Sequence, residues 1–140
     1  MLIVLGAIAI TAAQDNPVKK KKGYEYKSNA QDNQDLYVLM RYKWKKSKEG
    51  KAYAQIKFIN KTKSAVEVDA QLFFYNEGIL EERAEVNTCL KKGFWNNWFR
   101  PIHIIENDKF NLNSDGESNY SIEEPELTLK LVDKCDKLHD

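Results

Sequence analysis

From Leu36 onward, apolar and polar side chains alternate along the chain. Val38, Met40, Tyr42 and Trp44 fall on one side, and Tyr37, Leu39, Arg41 and Lys43 on the other. That is the spacing of a half-buried strand, whose successive side chains point to opposite faces. The turn Ser47-Lys48-Glu49-Gly50-Lys51 follows, and then a second strand in which Ala54, Ile56 and Phe58 alternate with Gln55 and Lys57 up to Asn60. The pattern is clearest in the third segment. Val66, Val68, Ala70, Leu72 and Phe74 share one side, and Glu67, Asp69 and Gln71 share the other, joined there by the apolar Phe73 and Tyr75. Turn-forming runs bound it, Asn60 to Ser64 before and Asn76-Glu77-Gly78 after. Ile79 to Val86 reads as a returning strand. A helix over Glu81 to Val86 is the competing assignment on propensity, but it would be short and poorly capped. Further on, Ile102, Ile104 and Ile105 around His103 predict a strand, and Phe110 to Leu112 a short one after the turn at Glu106-Asn107-Asp108. Asn113 to Asn119 reads as a loop. Leu127, Leu129 and Leu131 alternate with Thr128, Lys130 and Val132 in a final strand running to Cys135.

Short strands with turn signals at roughly ten-residue spacing predict an all-β fold. The expected architecture is an antiparallel, immunoglobulin-like β-sandwich of about seven to eight strands, occupying residues 35–140. Seven Tyr, six Phe and three Trp strengthen that expectation, because flat and β-branched side chains suit a pleated, half-buried surface. At 140 residues the chain fits one domain.

The N-terminal part differs in character. Residues 1–13 are uncharged and apolar and end in Thr11-Ala12-Ala13, the length and finish of a signal peptide cleaved before Gln14. No basic residue precedes the apolar run, and the basic run Lys19 to Lys22 follows it, against the positive-inside tendency. A buried first strand is the competing reading. Residues 14–34 are polar and read as a linker or partly ordered arm, with one short strand around Tyr24-Glu25-Tyr26. The expected location is therefore secreted or periplasmic, with no stable membrane insertion after cleavage. The cysteine pair, Cys89 and Cys135, agrees with an oxidising compartment, where an even count predicts a disulfide. It would close a loop of about 47 residues and contribute roughly 4 kcal/mol. Two independent buried thiols are the alternative.

The run from Ala54 to Glu82, AQIKFINKTKSAVEVDAQLFFYNEGILEE, resembles the central hairpins of FxLYD-type, immunoglobulin-like domains of secreted bacterial proteins. The shared pattern is a strand, an Asn-rich turn, a strand ending in aromatic residues, an acidic or Asn-Gly turn and a return strand. The resemblance implies an accessory domain and no catalytic residues.

Charge and candidate chemistry narrow the function classes. The 22 basic and 21 acidic side chains leave a net charge of +1, which argues against a nucleic-acid binder, since that needs a basic face. The most suggestive cluster is Phe94-Trp95-Asn96-Asn97-Trp98-Phe99-Arg100. Trp95 and Trp98 are an odd number of residues apart, so a regular strand cannot place both on one face. An exposed indole could carry the apolar face of a sugar ring, with Asn96, Asn97 and Arg100 hydrogen-bonding its hydroxyls. A loop that plugs the core beside the disulfide is the structural alternative, because large aromatics are mostly buried.

The other motifs are incomplete. Asn111-Leu112-Asn113-Ser114-Asp115-Gly116 has the oxygen spacing of a calcium loop, but its first ligand is Asn and its twelfth position is Ile122, with Glu123 one place late. Asp-Gly is equally a hairpin turn. His103 and His139 are too far apart to suggest a metal pair, and Cys89 with His103 as nucleophile and base conflicts with a disulfide. Glu81, Glu82, Glu85, Glu123, Glu124 and Glu126 lie in polar runs and read as a solvated face. Asn60-Lys61-Thr62 and Asn119-Tyr120-Ser121 match the glycosylation sequon. The sequence thus points to a non-catalytic interaction or accessory domain with no metal and no cofactor, binding a protein or a glycan. The alternative is a carbohydrate-binding module that uses Trp95 and Trp98.

Overall fold

The computed structural model describes residues 18–20, 23–31, 34–92 and 102–135. They form an all-β sandwich of two antiparallel sheets, in line with the expected fold class. One sheet has the order β1 (Val18–Lys20), β2 (Gly23–Gln31), β3 (Gln34–Lys46), β4 (Ala52–Asn60) and β7 (Ile102–Glu106). The other is built on β5 (Ala65–Asn76), with β6 (Ile79–Leu90) on one side and β8 (Ser121–Ile122) and β9 (Glu126–Val132) on the other. Neighbours in sequence pair as hairpins up to β4 and again at β5–β6. The remaining strands return from a distance: β7 lies beside β4 with His103 opposite Ile56, and β9 lies beside β5 with Leu129 opposite Val68.

The alternation read from the sequence decides which face is buried. Leu36, Val38 and Met40 of β3 and Ala54, Ile56 and Phe58 of β4 meet Val66, Val68, Ala70, Leu72 and Phe74 of β5. Phe58, Phe74, Leu36, Met40, Ile56 and Leu72 are fully buried. Removing each such side chain from water stabilises the fold by roughly 1.5–3 kcal/mol. Aromatic rings close one end of the core, with Phe110 lying 5.1 Å from Trp44, 5.1 Å from Phe74 and 5.2 Å from Tyr120.

The polar N-terminal segment is more structured than its composition suggests. Where a single short strand around Tyr24 to Tyr26 was expected, the chain forms β1 and the nine-residue β2. Both tyrosines are buried in the core. Gly23 opens β2 because a side chain there would meet the Met40 carbonyl oxygen at 2.1 Å. Two further differences occur towards the C-terminus. Phe110 to Leu112 is not a strand; Leu112 makes only an isolated bridge to Ser118. Ser121–Ile122 pairs with β5 although no periodicity announced it. The segment Glu81 to Val86 is part of β6, since its partners on β5 continue the ladder and supply the hydrogen bonds that a short isolated helix lacks.

Between β8 and β9 the edge bulges. Ile122 faces Phe74 and Glu126 faces Gln71, so three residues, Glu123, Glu124 and Pro125, oppose two, Leu72 and Phe73. One extra residue is a β-bulge, and Glu124 absorbs it at φ 45°. The carbonyls on either side of the bulge accept hydrogen bonds from β2 across the sandwich. The Tyr24 hydroxyl donates to Ile122 O at 2.7 Å and the Tyr26 hydroxyl to Pro125 O at 2.5 Å. Buried phenols need such acceptors, and here the first long strand is fastened to the last.

Candidate functional site

The residues singled out as a binding cluster, Trp95, Asn96, Asn97, Trp98 and Arg100, lie outside the described residues, as do the apolar run 1–13 and His139. The two cysteines are described. Cys89 and Cys135 form a disulfide with a Cα separation of 5.6 Å. It ties the segment after β9 to β6, the strand on the far side of β5. Cys89 therefore has no thiol to serve as a nucleophile, and the Cys89–His103 arrangement is ruled out. His103 points into the sandwich, edge-on to the Phe58 ring at 5.8 Å. Its Nε2 is buried without a hydrogen-bond partner, and burial holds its pKa below the ordinary imidazole value.

The sequon and calcium-like motifs are structural. The Asn60 side-chain amide donates to Ser64 O at 2.9 Å and to Leu90 O and Lys91 O at 3.3 Å each, while its oxygen accepts Thr62 N at 2.8 Å. The Thr62 hydroxyl in turn bonds the backbone of Tyr37, accepting from its N–H and donating to its carbonyl. Asn60 is buried and joins the β4–β5 turn to the end of β6. The segment around Asn113 is a hairpin. The Asn113 side-chain oxygen accepts the N–H groups of Asp115 and Glu117 at 2.9 and 3.0 Å, and Gly116 takes φ 81°. An oxygen turned onto its own backbone is not aimed at a cation.

Two carboxylates hold the Asn107–Tyr120 segment against β6. Glu81 accepts the Tyr120 hydroxyl at 2.7 Å, and Glu82 accepts Lys109 Nζ at 2.9 Å and the Asn107 amide at 2.8 Å. The Lys109 ammonium keeps the Glu82 carboxyl below its ordinary range. An open groove of about 600 Å³ lies nearby, lined by Gly50, Lys51, Glu106, Asp108, Lys109 and Asn111 among others. Of its lining, Lys109 and Asn107 are engaged in these bonds, so the groove is braced in part by its own wall.

The two outer faces of the sandwich are unlike. On the five-stranded sheet, register places Arg41, Lys57 and Ile102 in one cross-strand row and Lys43, Gln55 and Ile104 in the next. Lys45, Tyr53 and Glu106 form the row after that. Ile102 is 51% exposed and Ile104 55%. On the opposite sheet the outward positions include Glu67, Asp69, Glu85 and Glu126, with Arg83 and Lys130 as the cations. The cations of β3 were visible in the sequence as the polar side of a strand. That two isoleucines join them depends on the pairing of β4 with β7, which no local pattern announces. Compared with known protein families, curated proteins and solved structures, the chain matches none.

Proposed function

We propose that this chain is a non-catalytic, extracytoplasmic interaction domain, secreted or periplasmic, whose sandwich is a scaffold for a binding surface. The carrying observation is the outward face of the five-stranded sheet, where exposed Ile102 and Ile104 stand in cross-strand rows with Lys57, Arg41 and Lys43. Exposed large apolar side chains gathered on one face mark interaction surfaces. The Cys89–Cys135 bond supports the compartment, because disulfides persist where the environment is oxidising. The likeness of residues 54–82 to FxLYD-type domains points the same way. Glu81 and Glu82 support the non-catalytic part, since both act as braces for a loop. Two measurements test the proposal. The exported protein is expected to have a mass that starts at Gln14; an exported mass starting at Met1 overturns secretion by signal cleavage. Arrays of lipids, glycans and extracytoplasmic proteins are expected to show binding that Ile102→Ser with Ile104→Ser reduces at unchanged melting temperature. Turnover of glycosidic or ester substrates by the purified chain would sink the non-catalytic reading.

A further inference from the structure

The segregation of charge identifies a partner class for that face. Arg41, Lys43 and Lys45 occupy alternate positions of β3 on the outward side, so they repeat about every 7 Å along the strand. Lys57 sits directly across from Arg41. Among the described residues none of these four cations makes an ion pair, whereas Lys27 and Lys109 do. Solvent-exposed Arg41, Lys43 and Lys45 are therefore free to meet external anions. The net charge of the chain is only +1, so attraction to an anionic surface depends on this separation of faces rather than on overall charge. The acidic outward positions of the other sheet, Asp69, Glu85 and Glu126, would be repelled from the same surface and turn the cationic face towards it.

We propose that the outward face of the five-stranded sheet docks on an anionic lipid bilayer, with Arg41, Lys43, Lys45 and Lys57 against headgroup phosphates and Ile102 and Ile104 in the interfacial layer. Cations interleaved with aliphatic side chains suit a surface that offers fixed negative charge beside hydrocarbon. A soluble polyanion such as an acidic glycan offers the charge but gives the isoleucines nothing to bury against. The inference rests on the interaction-domain reading above and names its partner.

The test is co-sedimentation of the full chain with vesicles of equal parts phosphatidylglycerol and phosphatidylcholine, against vesicles of phosphatidylcholine alone. Binding to the anionic vesicles is expected, with loss of about tenfold or more in Lys43→Glu with Lys45→Glu. Ile102→Ser with Ile104→Ser is expected to weaken binding severalfold and to leave the remainder fully reversible by salt. Asp69→Lys, on the opposite face, is expected to leave binding intact. All five substituted positions are outward, and unchanged melting curves check that the variants fold. Equal binding to both kinds of vesicle overturns the proposal, as does binding to immobilised heparin with none to anionic vesicles. Dimerisation in ultracentrifugation that the Ile102→Ser, Ile104→Ser variant abolishes, without vesicle binding, assigns the face to a second copy and likewise overturns it. Those outcomes leave the interaction-domain reading standing, whereas substrate turnover would overturn that reading without touching vesicle binding.

Discussion

At the scale of single residues, the buried tyrosines of β2 do what their sequence neighbours conceal. Burial raises the pKa of both, pushing Tyr24 up to about 12 and Tyr26 higher still. The neutral phenol is thus favoured in the folded state relative to the unfolded chain, where tyrosine titrates near pH ~10. The stabilisation is fully present below pH ~10 and is lost as pH rises from there through the folded values. Urea midpoints measured against pH are expected to be level up to about pH 9.5 and to fall above pH ~10. In Tyr24→Phe that decline should be shallower. The same variant leaves Ile122 O without its donor, so at neutral pH it should lose about 1–2 kcal/mol; an unchanged midpoint would show the bond to be dispensable. A second residue-scale effect lies in the β5–β6 turn. Glu77 takes φ 52° and Gly78 φ 81°, which is the pair of left-handed conformations that a two-residue hairpin demands and that Asn-Gly fills best. Glu77→Asn is expected to raise the urea midpoint by the equivalent of about 0.5–1 kcal/mol, while Gly78→Ala should lower it.

Single elements differ in how plainly the sequence announces them. β3, β4 and β5 are legible because each has one fully apolar side and long runs of uninterrupted alternation; Val66 to Phe74 is buried where the pattern puts it. β2 is nearly hidden. Among its described side chains, Tyr24 and Tyr26 belong to the core, and the Ser, Asn and Gln that follow in sequence resemble a linker. What makes it a strand is its ladder with β3, in which Tyr24 faces Met40 and Tyr26 faces Val38. β8 could not be read at all, because two residues carry no period. It exists because β5 leaves Phe74 and Tyr75 unpaired on that side. The expected strand over Phe110 to Leu112 fails for the opposite reason: Phe110 is drawn into the aromatic cluster, and Asn113 closes a tight hairpin at once. A truncation separates the linker reading of β2 from the structural one. A chain starting at Gln34 exposes Val38 and Met40 on their open side and removes both tyrosine hydroxyls from the bulge. It is expected to unfold without a cooperative transition in circular dichroism, whereas a chain starting at Pro17 should melt as the full protein does. Equal melting of the two would make residues 18–31 an appendage after all.

At the scale of the molecule, the closures that define it join residues distant in sequence, and such pairings leave no mark on local alternation. The cationic face is an example: its β3 half was legible, while its isoleucine half came from a strand whose partner lies about fifty residues away. The aromatic cluster at Trp95 and Trp98, the strongest chemical signal in the sequence, gives no geometry here because it falls outside the described residues. The cysteine pair behaves otherwise, since two cysteines allow a single intramolecular bridge. Its contribution can be reasoned from topology. The bond spans 46 residues of sequence, including β7, β8 and β9, and it anchors the chain just after β9 to β6 across β5. Crosslinking restricts the unfolded chain far more than the folded one, and the chain-entropy relation for this loop gives about 4 kcal/mol as an upper figure. Cys89→Ala with Cys135→Ala should therefore melt well below the wild type and expose more surface on unfolding, seen as a larger urea m-value. Reduction of the intact protein should add two hydrogens to its mass and lower the melting temperature in the same direction. Because β9 and the bulge lie inside the closed loop, the C-terminal edge should be the first region to gain hydrogen-exchange rate in the variant. Uniformly raised exchange across both sheets would instead place the whole effect in the unfolded chain, and an unaltered melting temperature would leave the bridge without a stabilising role.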